Sequence, residues 1–243
     1  MVNEDQRELD YSVYAGNLFD LTNQENDAYW ELVRHAQDWF STLSYEQPPA
    51  VLDVGAGTGN FILGLAEVLP LGAKFVHLDM SAEMNSAAKD KYEDRSLEVE
   101  IVESFVQSAD FESGTFDSII SINALNTAPP QALTLKLMHQ WLRPGGWLYL
   151  VDFGRPQDTL SWARYLVGNS LKRNGPLETA RLFAKCFGSF GQNRRARVDQ
   201  ESGNMWLHTA EDLSTMIESS GFEIVDVEVC YRGYSDRVIA KAL

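Results

Sequence analysis

Between Val51 and Phe61 the chain reads VLDVGAGTGNF, an apolar run that passes into three glycines spaced two apart and then into an amphipathic pattern. The apolar run suits a buried parallel strand. Glycines at 55, 57 and 59 permit positive φ and let a ligand touch the backbone with no Cβ in the way. Amides at the start of the following helix favour an anionic group. A dinucleotide-binding loop would carry its third glycine at position 60, where this chain has Asn60, so the spacing is G-x-G-x-G instead. Asp53 lies inside the end of the strand, where a carboxylate suits a cationic ligand group rather than a pyrophosphate.

The rest of the chain repeats the alternation of strand and helix. Apolar runs predict strands over 50–54, 75–78, 99–102, 116–122 and 147–151, with helical patterns over 61–69, 82–92 and 132–142 and a turn at Arg143-Pro-Gly-Gly146. This spacing predicts a doubly wound α/β fold, a mostly parallel sheet covered on both faces. A helix over 210–220, stopped by Gly221, precedes two long runs at 222–230 and 234–242. Their connection, Tyr231-Arg-Gly233, is too short for a crossover helix, so these last strands of a seven-stranded sheet are antiparallel. Residues 9–44 read as helical up to Pro48-Pro49. A chain of 243 residues is then one domain: a helical lid over 1–47, a core over 48–153, a basic helical insertion or cap over 154–206, and a helix with two strands over 207–243.

A second carboxylate, Asp79, closes the run Phe75-Val-His-Leu78, where doubly wound folds hold ribose hydroxyls about 20 residues after the loop. A nucleoside joined to something small and zwitterionic satisfies both this acid and Asp53, which describes S-adenosylmethionine. On VLDVGAGTGNF at 51–61, FVHLDMS at 75–81, SGTFDSIISINAL at 113–125, LRPGGWLYLVDF at 142–153 and SSGFEIVDVEV at 219–229, the chain resembles the class I S-adenosylmethionine-dependent methyltransferases. The resemblance implies that Asp53, Gly55, Ala56, Gly57 and Gly59 surround the methionine moiety, with Asn123 nearby. It also implies that Asp79 binds the ribose and that Met80 packs on adenine. Many relatives carry an acid near position 104 or 105 that reads the adenine amino group. This chain has Ser104 and Phe105 there, which departs from the pattern, and these two residues are assigned to the adenine pocket.

Methyl transfer is an in-line displacement that asks the protein to align an acceptor and exclude water. Acceptors belong over the carboxyl ends of the strands, near Ser121 to Asn126 and Asp152 to Arg155. Asn123 and Asn126 are polar in an apolar neighbourhood and are catalytic candidates, with turn formation ahead of Pro129-Pro130 as the alternative. His208 is the histidine placed to act as a base, or else to enter the helix beside Thr209. Tyr11 and Tyr14 either contact ligand or pack a helix. The expected chemistry is O- or N-methylation, and no acid cluster implies a metal. Attack elsewhere on the cofactor, releasing methylthioadenosine, and a non-enzymatic binding module stay open.

The formal charge of −15 argues against nucleic acid and anionic membranes as partners. The segment from Arg155 to Arg197 holds nine Lys and Arg against Asp158 and Glu178, a balance of +7 within a body of −22. Arg194 and Arg195 are the candidates to hold a small acidic acceptor. The other reading is that this segment binds the acidic body itself or the second subunit of a homodimer. The two cysteines, Cys186 and Cys230, and the polar start of the chain fit a cytoplasmic protein with no disulfide scaffold.

Overall fold

A computed structural model describes residues 17–186, 197–203 and 205–243. Seven strands form one sheet in the order β3-β2-β1-β4-β5-β7-β6. They are β1 (Ala50–Val54), β2 (Lys74–Asp79), β3 (Val99–Glu103), β4 (Phe116–Ile122), β5 (Leu142–Phe153), β6 (Phe222–Cys230) and β7 (Ser235–Ala242). The first five pair in parallel, and β7 runs antiparallel to both β5 and β6, as the short connection between the last two strands requires.

Alternate residues of each central strand enter two separate cores. Leu52, Ile119, Leu148, Leu150 and Val238 pack with Leu135, Met138 and Trp141 of α5 (Gln131–Trp141) and with Leu213 and Ile217 of α7 (Ala210–Ser219). Val51, Ile120, Tyr149, Val151 and Ile239 pack on the other face. There they meet α2 (Asp27–Ser41), α3 (Asn60–Ala66) and α4 (Ala82–Asp94). Both faces of β1, β4 and β5 are therefore dry, which is why these strands read as continuous apolar runs rather than as alternations.

Three elements gain detail beyond the sequence reading. Within the helical segment read over 9–44, the described residues form two helices: α1 (Asn17–Asn23) stops, and Asn26 starts α2 by accepting a hydrogen bond from the Tyr29 amide, the role in which asparagine is favoured over helix interiors. Strand β5 begins at Leu142, so Arg143-Pro-Gly-Gly146 lies within it as an irregular start, with a register shift opposite Phe116 and Ser118. The basic segment forms α6 (Thr159–Lys185), capped by the Asp158 carboxylate. Gly175, at φ 74 and ψ 176, and Pro176, which has no N–H to donate, break α6 into two arms.

Candidate functional site

The carboxyl ends of β1, β2 and β4 open into a cavity of about 450 Å³, roofed by α1 and α6. At its inner end lies the glycine loop. Gly55, Gly57 and Gly59 all have positive φ, at 72°, 56° and 77°. Each does different work. A Cβ on Gly55 would overlap the Ala124 side chain, and one on Gly59, the N-cap of α3, would enter the Tyr92 ring. A Cβ on Gly57 would meet no protein atom within 4 Å, so that position is open to a ligand.

The loop amides are tied to β2. Gly55 N donates to the Leu78 carbonyl at 2.8 Å, and Gly57 N donates to Asp79 Oδ2 at 2.8 Å. Asp79 Oδ1 accepts from Ser81 N at 2.9 Å. Each oxygen keeps lone-pair capacity for a further donor. Burial raises the Asp79 pKa, partly offset by those backbone donors. Asp53 is more extreme: it is buried, its Oδ2 has no hydrogen-bond partner, and burial with the nearby Asp79 charge pushes its pKa well above the carboxylate range. A buried carboxylate left unpaired calls for a cation.

These residues fit S-adenosylmethionine. Asp53 offers an unpaired acid to its ammonium, Gly57 an open backbone face, and Asp79 acceptors for ribose hydroxyls. Met80 and Phe105, 38% and 50% exposed, are apolar side chains at the cavity edge available to an adenine ring. Ser104 also lines the cavity, with its hydroxyl bonded to the Phe105 carbonyl at 3.0 Å.

Asp53 carries a prediction. Its pKa is higher folded than unfolded, so between those two values the native state binds more protons and stability falls as pH rises. Asp53→Asn is expected to raise the apo melting temperature above neutral pH by about 2–4 °C, the size of a 1 kcal/mol change in a chain of this length. The same variant loses S-adenosylhomocysteine affinity. A lower melting temperature at pH 8 in a scanning calorimeter would contradict an unpaired charge at Asp53.

The remaining lining forms a chamber of apolar and aromatic side chains, Phe19 and Leu21 of α1, Phe153 at the end of β5, Trp162 and Leu166 of α6, and Met205, together with the polar Asn23, Glu25, Asn26 and Gln157. Asn123 and Asn126 also line the cavity. Asn123 has φ 53, and its Oδ1 accepts from Ser235 Oγ at 3.0 Å. Asn126 is 2% exposed, and both atoms of its side-chain amide lack a partner.

His208 lies behind the cavity wall rather than in it. Its Nδ1 is 3.2 Å from the Thr209 carbonyl and 3.6 Å from Asp236 Oδ2, and burial lowers its pKa. This is the helix-entry placement: Thr209 and Asp212 form the capping box of α7 one residue on. Asp236 is gripped by Arg155, whose NH1 reaches both carboxylate oxygens at 3.0 and 2.9 Å. Asp152 is buried beside them, and the amides of Phe153 and Asn126 face it without forming well-aligned hydrogen bonds. Burial holds the Asp152 pKa high.

Of the residues singled out from sequence, Asp53, Gly55, Ala56, Gly57, Asp79, Met80, Ser104, Phe105, Asn123 and Asn126 converge on the one cavity. Gly59 backs the loop from outside it. Tyr11, Tyr14, Arg194 and Arg195 lie outside the described residues. The individual α1 and α6 residues that line the chamber were missed because no local signal says which face of a helical lid or insertion turns inward. Among the described residues, no three His, Cys, Asp or Glu side chains are grouped to hold a metal ion, and no helix is long and apolar enough to cross a membrane.

Comparison with known proteins agrees with the site. The model of a methyltransferase-domain family matches residues 29–227. A demethylmenaquinone methyltransferase of Chlorobaculum tepidum is 29% identical over 141 residues, covering 58% of this chain and 55% of that protein, so the chain spans about half the length of that relative. A ubiquinone/menaquinone biosynthesis C-methyltransferase of Teredinibacter turnerae is 27% identical over 176 residues, 71% of this chain and 66% of that one. In fold, a methyltransferase crystal structure from Aquifex aeolicus superposes with a TM-score of 0.62 at 16% identity, covering 93% of this chain and 98% of that one. The antiparallel β7 set between β5 and β6, the glycine loop under Asp79 and this family match agree, and the chain belongs to the class I S-adenosylmethionine-dependent methyltransferases.

Proposed function

We propose that this chain transfers the methyl group of S-adenosylmethionine to a carbon of a neutral, largely apolar acceptor bearing an oxygen function, the S–CH3 bond breaking to leave S-adenosylhomocysteine and the proton of the methylated carbon being lost to solvent. The observation that carries this reading is the composition of the acceptor chamber. Among the described residues that line the cavity there is no Lys or Arg, while Glu25, Asp53 and Asp79 are present. Among the described residues, no cation of the wall would meet an acidic acceptor. Four described arginines of the basic segment are engaged in ion pairs: Arg155 with Asp236, Arg173 with Glu25 and Asp27, Arg181 with Glu178, and Arg197 with Glu201. Arg155 and Arg173 bind the acidic body of this chain, and Arg194 and Arg195, the residues expected to hold an acidic acceptor, lie outside the described residues. Carbon as the acceptor atom is favoured over oxygen or nitrogen by the C-methyltransferase named above.

When bound, S-adenosylmethionine supplies an electrophilic methyl group on a sulfonium. The chain supplies placement: Asp53 and the open face of Gly57 hold the amino-acid end, and Asp79 the ribose. Asn123 and Asn126 both follow β4, and the Asn123 amide donates to the Val151 carbonyl of β5 at 2.6 Å. Asn126, with both amide atoms unpaired, is the group that would hydrogen-bond the acceptor oxygen next to the reacting carbon. The apolar roof from α1 and α6 excludes water, which strengthens that bond and prevents solvent from competing with the acceptor.

A kinetic comparison tests this. A reduced naphthohydroquinone and the same ring carrying a carboxylate are offered with S-adenosylmethionine. The neutral ring is expected to be favoured in kcat/KM by about tenfold or more, the scale of one unpaired buried charge. Preference for the carboxylate would place a cation in the chamber and end this reading.

A further inference from the structure

Asp20 of α1 is absent from the cavity wall, although its neighbours Phe19 and Leu21 are in it. Its carboxylate turns toward the glycine loop instead. Oδ1 accepts from Thr58 Oγ1 at 2.8 Å and Asn60 Nδ2 at 2.9 Å, and Oδ2 accepts from Lys91 Nζ at 2.9 Å. Lys91 also donates to Asn60 Oδ1 at 2.7 Å, and Asn60 Nδ2 lies 3.1 Å from the Tyr29 hydroxyl. One closed network thus joins α1, α2, the loop, the start of α3 and α4. Thr58 and Asn60 are buried and the Asp20 side chain is partly so, and their hydrogen bonds are partly shielded from water.

The glycine loop is therefore gripped by two carboxylates, Asp79 on the cavity side through Gly57 and Asp20 on the outer side through Thr58. Helix α1 has seven residues, too short to hold its own conformation, so its position over the acceptor chamber depends on such anchors. We propose that Asp20 is a positioning residue that couples α1 to the cofactor loop, so that cofactor loading and closure of the α1 wall over the acceptor are one equilibrium. This rests on reading the cavity as an S-adenosylmethionine site with an adjoining acceptor chamber. Coupling of this kind is reciprocal: what orders the loop favours closed α1, and loosening α1 weakens cofactor binding at a distance.

The test uses the full chain with S-adenosylhomocysteine as probe, reading Kd by calorimetry and amide exchange across residues 17–23. In the wild type the probe slows exchange in α1. Asp20→Ala is expected to raise Kd about tenfold, the scale of lost charged hydrogen bonds, and to abolish the probe's effect on α1 exchange while strand amides stay protected. Asp20→Asn keeps an acceptor for Thr58 and Asn60 but loses the ion pair, and is expected to give an intermediate Kd. It also serves as the readable variant if the alanine protein does not fold. Unchanged Kd in either variant, or a lower melting temperature with Kd and probe-dependent protection intact, would overturn the coupling. Failure of the wild type to bind the probe would instead overturn the reading of the cavity.

Discussion

Asp79→Ala is expected to weaken S-adenosylhomocysteine binding by about 10- to 100-fold, because a charge-assisted hydrogen bond is worth about 1.5–3 kcal/mol. Two losses add. The first is the acceptor offered to the ribose at the end of β2. The second is the anchor of the loop, since Gly57 N donates to this carboxylate at 2.8 Å and the amide would be left without it. Asp79→Asn separates them: its carbonyl oxygen keeps one acceptor for Gly57 but removes the charge, so its affinity should fall between wild type and alanine. Isothermal titration reads both. Wild-type affinity in Asp79→Ala would show that the nucleoside is not held at the carboxyl end of β2.

Gly55→Ala is expected to be the most destabilising small substitution in the site. Its φ of 72° costs an L-residue about 1–2 kcal/mol, and the added methyl would overlap the Ala124 side chain, a clash of the kind that costs about 1–3 kcal/mol. At about 2–4 °C per kcal/mol, the melting temperature should fall by roughly 5–15 °C. Cofactor affinity should fall with it, because Gly55 N is bonded to Leu78 O at the root of the loop. Adding Ala124→Gly removes the overlap but not the backbone strain, so the double variant should recover part of the loss. If Ala124→Gly gives no recovery by calorimetry, contact between the loop and the end of β4 is not what requires glycine at 55.

What was legible in the sequence was local. The run from Val51 to Phe61 contains its own strand, turn and helix, and the position of Asp79 follows from counting along β2. The antiparallel β7 followed from a connection too short to cross over. What was hidden depends on partners far along the chain. Asp20 meets Thr58 and Lys91 across 38 and 71 positions, and Arg155 meets Asp236 across 81, pairings that no periodicity encodes. The positive charge of the segment from Arg155 to Arg197 was visible, but where that charge points was not. A histidine ahead of a helix looks the same in sequence whether it faces a cleft or, like His208, a buried aspartate. The break between α1 and α2 was within reach, because Asn26 three residues ahead of Tyr29 is a helix-start signal inside a helical pattern.

The central claim is that the cavity couples an S-adenosylmethionine site to a neutral, oxygen-bearing acceptor methylated on carbon. The most direct measurement incubates the protein with S-adenosylmethionine carrying an isotopically labelled methyl group and a reduced naphthohydroquinone, and follows both products by mass spectrometry and NMR. The account predicts S-adenosylhomocysteine in equal amount to a ring product whose labelled methyl is bonded to carbon, formed by the wild type and strongly reduced in Asp79→Ala. A labelled methoxy product would contradict the assignment of carbon, and methylthioadenosine in place of S-adenosylhomocysteine would contradict methyl transfer itself.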